Sequence, residues 1–144
     1  MAHDGRRFGW IFCGIAAIAV MGGLAALQAQ PDRSGPRPKV VSLERGGRNY
    51  IPVLGGPPET ISMRSGLVVL APGKAVGKHN TESYEELLVV LEGKGEMIFG
   101  DRSTLPANAN SAVYCPPHTE HDVRNTGAGD LRYVYVAAGA RPGS

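Results

Sequence analysis

The stretch GKAVGKHNTESYEELLVVLEG, residues 73–93, decides the fold prediction for this 144-residue chain. Its second half is an apolar run at residues 87–91, which is typical of a buried β-strand. Because side chains alternate along a strand, Leu88 and Val90 share a face with Glu86, and the intervening residues point the other way. Both faces are apolar, so one must face the interior while the other is covered by a second layer or a partner subunit.

Short apolar segments separated by glycine and proline turns continue beyond this stretch in both directions. Predicted strands cover residues 40–43, 50–54, 60–70, 87–91, 96–99, 112–115, 122–125 and 131–138. Apolar residues do not recur at helical spacing over three turns anywhere after residue 40. The sequence therefore predicts a single all-β domain over residues 40–141, built as a sandwich or a barrel.

The beginning of the chain has the order of a secretory signal peptide. Arg6 and Arg7 precede residues 8–27, which carry no charge, and small alanines lead up to residue 29. We interpret residues 1–29 as a signal peptide, with an uncleaved membrane anchor as the alternative. Residues 30–39 are polar and proline-rich, which predicts a linker. The domain is thus expected to be periplasmic or secreted, and at a membrane only if the first segment is retained.

Charge and cysteine content narrow the classes of partner. From residue 30 onward the chain has 13 Lys and Arg against 12 Asp and Glu, a net charge of +1. This near balance is not the footprint of a nucleic-acid-binding protein. Cys115 is the single cysteine of this part, so no internal disulfide is expected and its thiol is predicted to be a small buried apolar group.

All three histidines after residue 30 lie in residues 73–93 or in a second segment, NSAVYCPPHTEHDVRN, residues 110–125. The two segments resemble the paired motifs of the cupin superfamily, with matches at Gly73, His79, Glu86, Gly93, Pro116, His121 and Asn125. The chain departs from the motifs at three positions. Thr81 stands where the first motif has its second histidine, and Asn110 and His118 replace the two glycines of the second motif.

The resemblance implies a small, single-domain (type 2) cupin: an antiparallel, jelly-roll-like β-barrel with one divalent metal ion at its interior end. It implies His79, Glu86 and His121 as the metal ligands. Glu86 is preferred to Glu85 because it lies six residues before Gly93, and strand parity allows only one of the pair to face inward. Two imidazoles and one carboxylate suit Fe, Mn, Ni, Zn or Cu and leave coordination positions open.

Several residues around the motifs keep two interpretations. His118 either adds a ligand or is an exposed turn residue, and Thr81 either holds a metal-bound water or fills the gap. Asn125 is predicted to tie down the turn before the last strand. Four tyrosines are predicted to be core or cavity wall: Tyr84, Tyr114, Tyr133 and Tyr135. Two lysines either attract an anion or only keep the protein soluble: Lys74 and Lys78.

These residues predict an exported metal-binding protein that acts on a small molecule as a dioxygenase-like or isomerase/lyase-like enzyme. The alternative is a non-catalytic module that binds a small ligand or metal. A third possibility is a structural dimer with a vestigial site. The second apolar face of the strand at 87–91 favours a homodimer.

Overall fold

The computed structural model describes residues 35–140, and this range folds into nine antiparallel β-strands without a helix. The strands are β1 Tyr50–Gly55, β2 Arg64–Leu70, β3 His79–Asn80, β4 Tyr84–Glu92, β5 Lys94–Phe99, β6 Thr104–Asn108, β7 Ser111–Cys115, β8 Glu120–Asn125 and β9 Leu131–Gly139. Within this range no helix is long and apolar enough to cross a membrane. The predicted signal segment, residues 1–29, lies outside the described residues.

The strands form one sheet of five in the order β1-β2-β9-β4-β7 and one of four in the order β3-β8-β5-β6. The all-β class is confirmed, but among residues 35–140 no ladder joins the two sheets into a closed barrel. Two edge strands carry a proline, Pro52 in β1 and Pro106 in β6. Proline lacks an N–H to donate, so it suits a strand with one unpaired side.

The interior between the sheets is apolar and receives side chains from both. Its buried members are Leu88, Val90, Met97, Ala107, Val113, Cys115, Val123, Leu131 and Tyr133. Each large aliphatic side chain buried here contributes roughly 1.5–3 kcal/mol relative to its exposed state. The prediction that Leu88 and Val90 face the interior is confirmed, and so is the burial of the Cys115 side chain.

The outer face of the five-stranded sheet is covered only in part. Val41 and Leu43 pack over a second cluster formed by Ile51, Leu67 and Val69. The segment at residues 40–43 was predicted to be a strand; it forms none and instead lies across this face. Further along the same face Leu87 and Val89 stay about 40% exposed.

The main differences from the sequence prediction are the start of β2, which was placed too early, and the strands β3 and β6, which were not predicted. The strand predicted from residue 60 starts only at Arg64, because Thr60 makes local bonds that compete with a ladder. Its N–H donates to the Gly56 carbonyl and its hydroxyl to the Met63 carbonyl. Strand β6 was missed, since Pro106 argues against a strand unless its place at a sheet edge is known.

Candidate metal centre and its cavity

The three predicted ligands come from both sheets. In the four-stranded sheet His79 of β3 is paired directly with His121 of β8. In the five-stranded sheet Glu86 of β4 lies between Cys115 of β7 and Ala137 of β9. Strand alternation turns Glu86 inward with Leu88, so its carboxylate faces the two imidazoles across the interior.

The three side chains converge closely enough to share one ion. One ligand atom from each of His79, Glu86 and His121 lies within 4.8 Å of the other two. His121 Nε2 is 3.1 Å from Glu86 Oε2, and His79 Nε2 is 3.9 Å from the same oxygen. Exposure of the side chains rises from 0% at His121 through 13% at Glu86 to 40% at His79. The group is therefore open to solvent on the His79 side.

Backbone carbonyls fix the orientation of both imidazoles. His79 Nδ1 lies 2.9 Å from the Gly77 carbonyl oxygen, and His121 Nδ1 lies 3.3 Å from the Thr119 carbonyl oxygen. A carbonyl only accepts hydrogen bonds, so these contacts favour the neutral tautomer in which Nδ1 carries the proton and Nε2 offers its lone pair. At His121 the Cys115 sulfur also lies 3.4 Å from Nδ1. Metal-binding histidines are commonly held in this way by their second nitrogen.

One observation that does not depend on the motifs also indicates that these donor atoms suit a metal cation. His121 Nε2 is buried and has no hydrogen-bond partner among the described residues. Its 3.1 Å approach to Glu86 Oε2 does not have hydrogen-bond geometry, although the two atoms are in contact. A lone pair on Nε2 facing a carboxylate oxygen is favourable only with a positive charge between or beside them, either a proton or a metal cation.

The electrostatics of His121 reflect the same contact. Burial lowers the pKa of His121, but the Glu86 carboxylate, the Thr119 carbonyl and Asp122 outweigh it and the net shift is upward. The nearby Cys115 thiol behaves differently, because burial and the Glu86 charge raise its pKa to about 11. Cys115 is therefore a neutral thiol, and it lies outside the group of three ligands.

Glu85 and Tyr114 lie on the opposite face from Glu86. The Tyr114 hydroxyl donates to Glu85 Oε2 over 3.1 Å, and this hydrogen bond raises the pKa of the phenol. The prediction that Tyr114 is core or cavity wall is wrong, because its side chain is 52% exposed on the outer face. Strand parity explains the difference, since Tyr114 is adjacent to the buried Cys115.

Thr81 and His118 both contact or belong to the turn of the second motif, and neither is one of the three converging residues. The Thr81 hydroxyl donates to the Pro116 carbonyl and accepts from the Thr119 N–H, so it links the first motif to the turn of the second. His118 is exposed in that turn with φ of 56°, a conformation in which its glycine counterpart is comfortable. It does not join the three ligands.

A cavity of about 840 Å³ adjoins the ligands, a volume typical of small-molecule sites. His79 and Glu86 form part of its wall, as do the predicted wall residues Tyr84, Tyr133 and Tyr135. Burial raises the pKa of Tyr133 and of Tyr135, so both hydroxyls stay protonated. Of the two lysines, Lys74 lines the cavity, whereas Lys78 pairs with Glu120 at the surface.

Several wall residues were missed from the sequence, among them Arg64 and Tyr50. Both lie outside the two motifs, in segments whose register with the rest of the sheet is set by long-range pairing. The only sequence signal for Arg64 is its alternation with Met63 and Ser65 at the start of β2. Alternation alone does not say which face is inward.

Comparison with known proteins identifies one protein family and several relatives that are similar over only part of their length. The family model described as "Cupin domain" matches residues 66–137. "Polyketide synthase CurC" of Streptomyces cyaneus is 31% identical over 81 residues, 54% of this chain and 52% of that protein. "Auxin-binding protein 1" of Arabidopsis thaliana is 33% identical over 78 residues, 49% of this chain and 39% of that protein. The chain thus spans about half, or less, of these curated relatives.

Among solved structures, a "Cupin 2 conserved barrel domain protein" from Salinispora arenicola matches with a TM-score of 0.58. The match covers 71% of this chain and 89% of that one at 22% sequence identity. At this level of identity the likeness supports the fold alone.

Proposed function

Because the chain belongs to the cupin family, we propose that it is a metal-dependent enzyme acting on a small molecule. In this proposal His79, Glu86 and His121 hold one divalent ion, and the neighbouring cavity receives the substrate. The observation that carries it is the convergence of these three side chains beside a cavity of about 840 Å³. We further propose that the strands work as one cupin barrel, as in the family.

The ligand set limits the chemistry. Two imidazoles and one carboxylate leave coordination positions for a substrate, and the bound ion would supply either Lewis-acid or oxygen chemistry according to its identity. The chain itself contributes orientation and shielding. The Gly77 and Thr119 carbonyls hold the imidazoles, and the buried side chains of Val123 and Tyr133 form an apolar part of the cavity wall. The described wall lacks a second carboxylate besides Glu86, so elaborate acid–base chemistry by the protein is not expected.

A non-catalytic module that binds a small ligand is the second candidate. It is favoured by the likeness to Auxin-binding protein 1, whose name states that it binds a ligand. The likeness to a polyketide synthase favours the enzyme instead. Turnover of a bound compound by the metal-loaded protein would distinguish the enzyme, because a module binds one equivalent and releases it unchanged.

Elemental analysis of protein purified without chelators tests the metal site. We expect about one divalent ion per chain in the wild type and loss of the ion in His79→Ala and in His121→Ala, since each removes one of three protein ligands. His118→Ala is the matched control and should keep the ion. A wild type without metal would overturn the proposal and leave only the fold. The identity of the ion then separates redox chemistry from Lewis-acid chemistry.

We also propose that two copies of the chain associate through the outer face of the five-stranded sheet. Leu87, Val89 and Tyr114 are exposed there beside one another on β4 and β7, and such apolar patches commonly mark interfaces. Light scattering should give twice the chain mass for the wild type and the monomer mass for Val89→Glu, which places a charge in the patch. A monomeric wild type would contradict this proposal.

The proposal that the domain acts in the periplasm or outside the cell comes from residues 1–29 alone.

A further inference from the structure

Arg64 lies in the same cross-strand row as the metal ligand Glu86. On β9, Ala137 is paired with Arg64 on one side and with Glu86 on the other. The two charged residues are therefore two strands apart on one face, about 10 Å between their Cα atoms. Because Ala137 has only a methyl group, the space between them belongs to the cavity, which all three residues line.

The Arg64 guanidinium has a defined place but no anionic partner. Its side chain makes no ion pair or hydrogen bond within residues 35–140. Its Cζ lies 5.7 Å from the centre of the Tyr84 ring, a cation–π arrangement. Gly56 gives it room, since a Cβ there would lie 2.9 Å from Arg64 Nε. Arg64 is solvent-exposed as a residue, and it lines the cavity without an anionic partner among the described residues.

Much of the remaining wall is aromatic and aliphatic, with Asn49, Asn80 and Thr81 among its polar members. A Cβ at Gly66 would lie 2.6–2.8 Å from the ring atoms and hydroxyl of Tyr50, so this glycine admits the ring over β2. There the Tyr50 hydroxyl is 3.1 Å from the Tyr135 hydroxyl. Aliphatic side chains also contribute to the wall, among them Val68, Leu70, Val76 and Val123. Such a surface suits a planar, weakly polar body.

The charge balance of the wall favours an anion. Arg64 and Lys74 are its cations, and Glu86 is its one carboxylate among the described residues. Glu86 faces the two imidazoles, so it does not neutralise Arg64. A divalent ion at the centre would add further positive charge. The guanidinium fork matches a carboxylate in geometry as well as in charge.

We propose that the cavity binds an aromatic or other planar monocarboxylate, with its carboxylate on Arg64 and its flat body against the tyrosine wall. Only the statement that such a compound is a substrate, and not merely a ligand, rests on the proposed function. Binding itself depends on Arg64 and the wall, and is open to test with and without metal.

Benzoate is the probe, with uncharged benzamide as a ligand of the same shape. Binding of each to the full chain is followed by calorimetric or NMR titration, in protein as purified and after chelator treatment. Wild type should bind benzoate more tightly than benzamide. Arg64→Gln should weaken benzoate about 10-fold or more, as for loss of a charge-assisted pair, and leave benzamide unchanged. Arg64→Lys should recover part of the loss, because it keeps the charge without the fork.

Arg124→Gln is the matched control, since Arg124 is an exposed strand arginine outside the cavity wall. It should leave benzoate binding unchanged. The proposal is overturned if wild type does not prefer benzoate to benzamide, if Arg64→Gln and Arg124→Gln act alike, or if phenyl phosphate binds more tightly than benzoate. The metal content of Arg64→Gln should equal that of wild type. If Arg64→Gln loses benzoate binding but retains its metal, this inference is separated from the metal proposal. Arg64-dependent binding in a wild type that contains no metal as purified would refute the metal proposal alone.

Discussion

Replacing Glu86 with glutamine is expected to lower the affinity of the chain for a divalent ion by about 100-fold or more. Residues that only support a metal ligand contribute about 10- to 100-fold, and a direct ligand should contribute at least as much. Glutamine keeps the shape of the side chain but removes its charge. Glu86 Oε2 is the atom that both Nε2 atoms approach, at 3.1 and 3.9 Å, so the charge sits where the ion would be held. The side chain is nearly buried, and solvent therefore screens it little.

Glu85→Gln provides a control that differs by one position in the strand. Glu85 carries the same charge but points to the outer face, where it accepts a hydrogen bond from Tyr114. Its replacement should leave metal affinity unchanged within about a factor of two, because surface substitutions usually have small effects. The two variants together test the parity argument that selects Glu86.

Calorimetric titration of Mn²⁺ or Zn²⁺ into chelator-treated protein measures the affinities, and thermal unfolding gives a second reading. Metal that binds only the folded chain stabilises it by about 2.7 kcal/mol at 100 times its dissociation constant. The wild type and Glu85→Gln should show this rise in melting temperature, and Glu86→Gln should lose most of it. Equal affinities in the Glu86 and Glu85 variants would contradict the assignment of Glu86 as a ligand.

The three residues that converge in the structure were identified from the resemblance to the cupin motifs, whose positions are local in the sequence. His79 and Glu86 lie seven residues apart in the first motif, and His121 lies in the second. The resemblance implies all three, and strand alternation supports Glu86 over Glu85. Their convergence follows from the family fold. The orphaned Nε2 of His121 and the carbonyls that orient the rings depend on three-dimensional contacts, and spacing carried no information about them.

The cavity wall was less predictable because its members meet only through strand pairing. Arg64 and Glu86 are 22 positions apart and become neighbours through β9, which is the last strand of the chain. The packing of Val41 and Leu43 over Leu67 was equally hard to predict, because these two residues make a long-range contact without belonging to a strand. Tyr114 was misplaced because its face depends on the register of β7 with β4, in which Tyr114 lies opposite Leu87.

Asn125 gives the second large effect, and here the predicted structural role is confirmed by its contacts. The residue is only 1% exposed. Its Nδ2 donates to the Leu70 carbonyl over 2.7 Å and to the Gly129 carbonyl over 2.8 Å. Its Oδ1 accepts the Gly127 N–H over 2.8 Å. One amide thus joins the end of β2 to the turn that leads into β9.

Asn125→Ala is expected to lower the free energy of unfolding by about 3 kcal/mol, because it leaves backbone groups of the turn without partners and opens a small cavity. Asn125→Asp should destabilise the fold at least as much. Its carboxylate would face two carbonyl oxygens that need donors, and a buried unpaired charge is costly. Urea unfolding in the presence of chelator measures both, so that metal binding does not contribute.

Asn108→Ala is the control, since its side chain is exposed at the end of β6 and only its backbone carbonyl accepts a bond, from Ser111. It should change the free energy of unfolding by no more than about 0.5 kcal/mol. A comparably small loss in Asn125→Ala would mean that water satisfies the turn without the amide. A large loss in Asn125→Ala with a mild one in Asn125→Asp would assign the effect to side-chain volume. The expected order, with aspartate no better than alanine, is specific to an amide that donates twice.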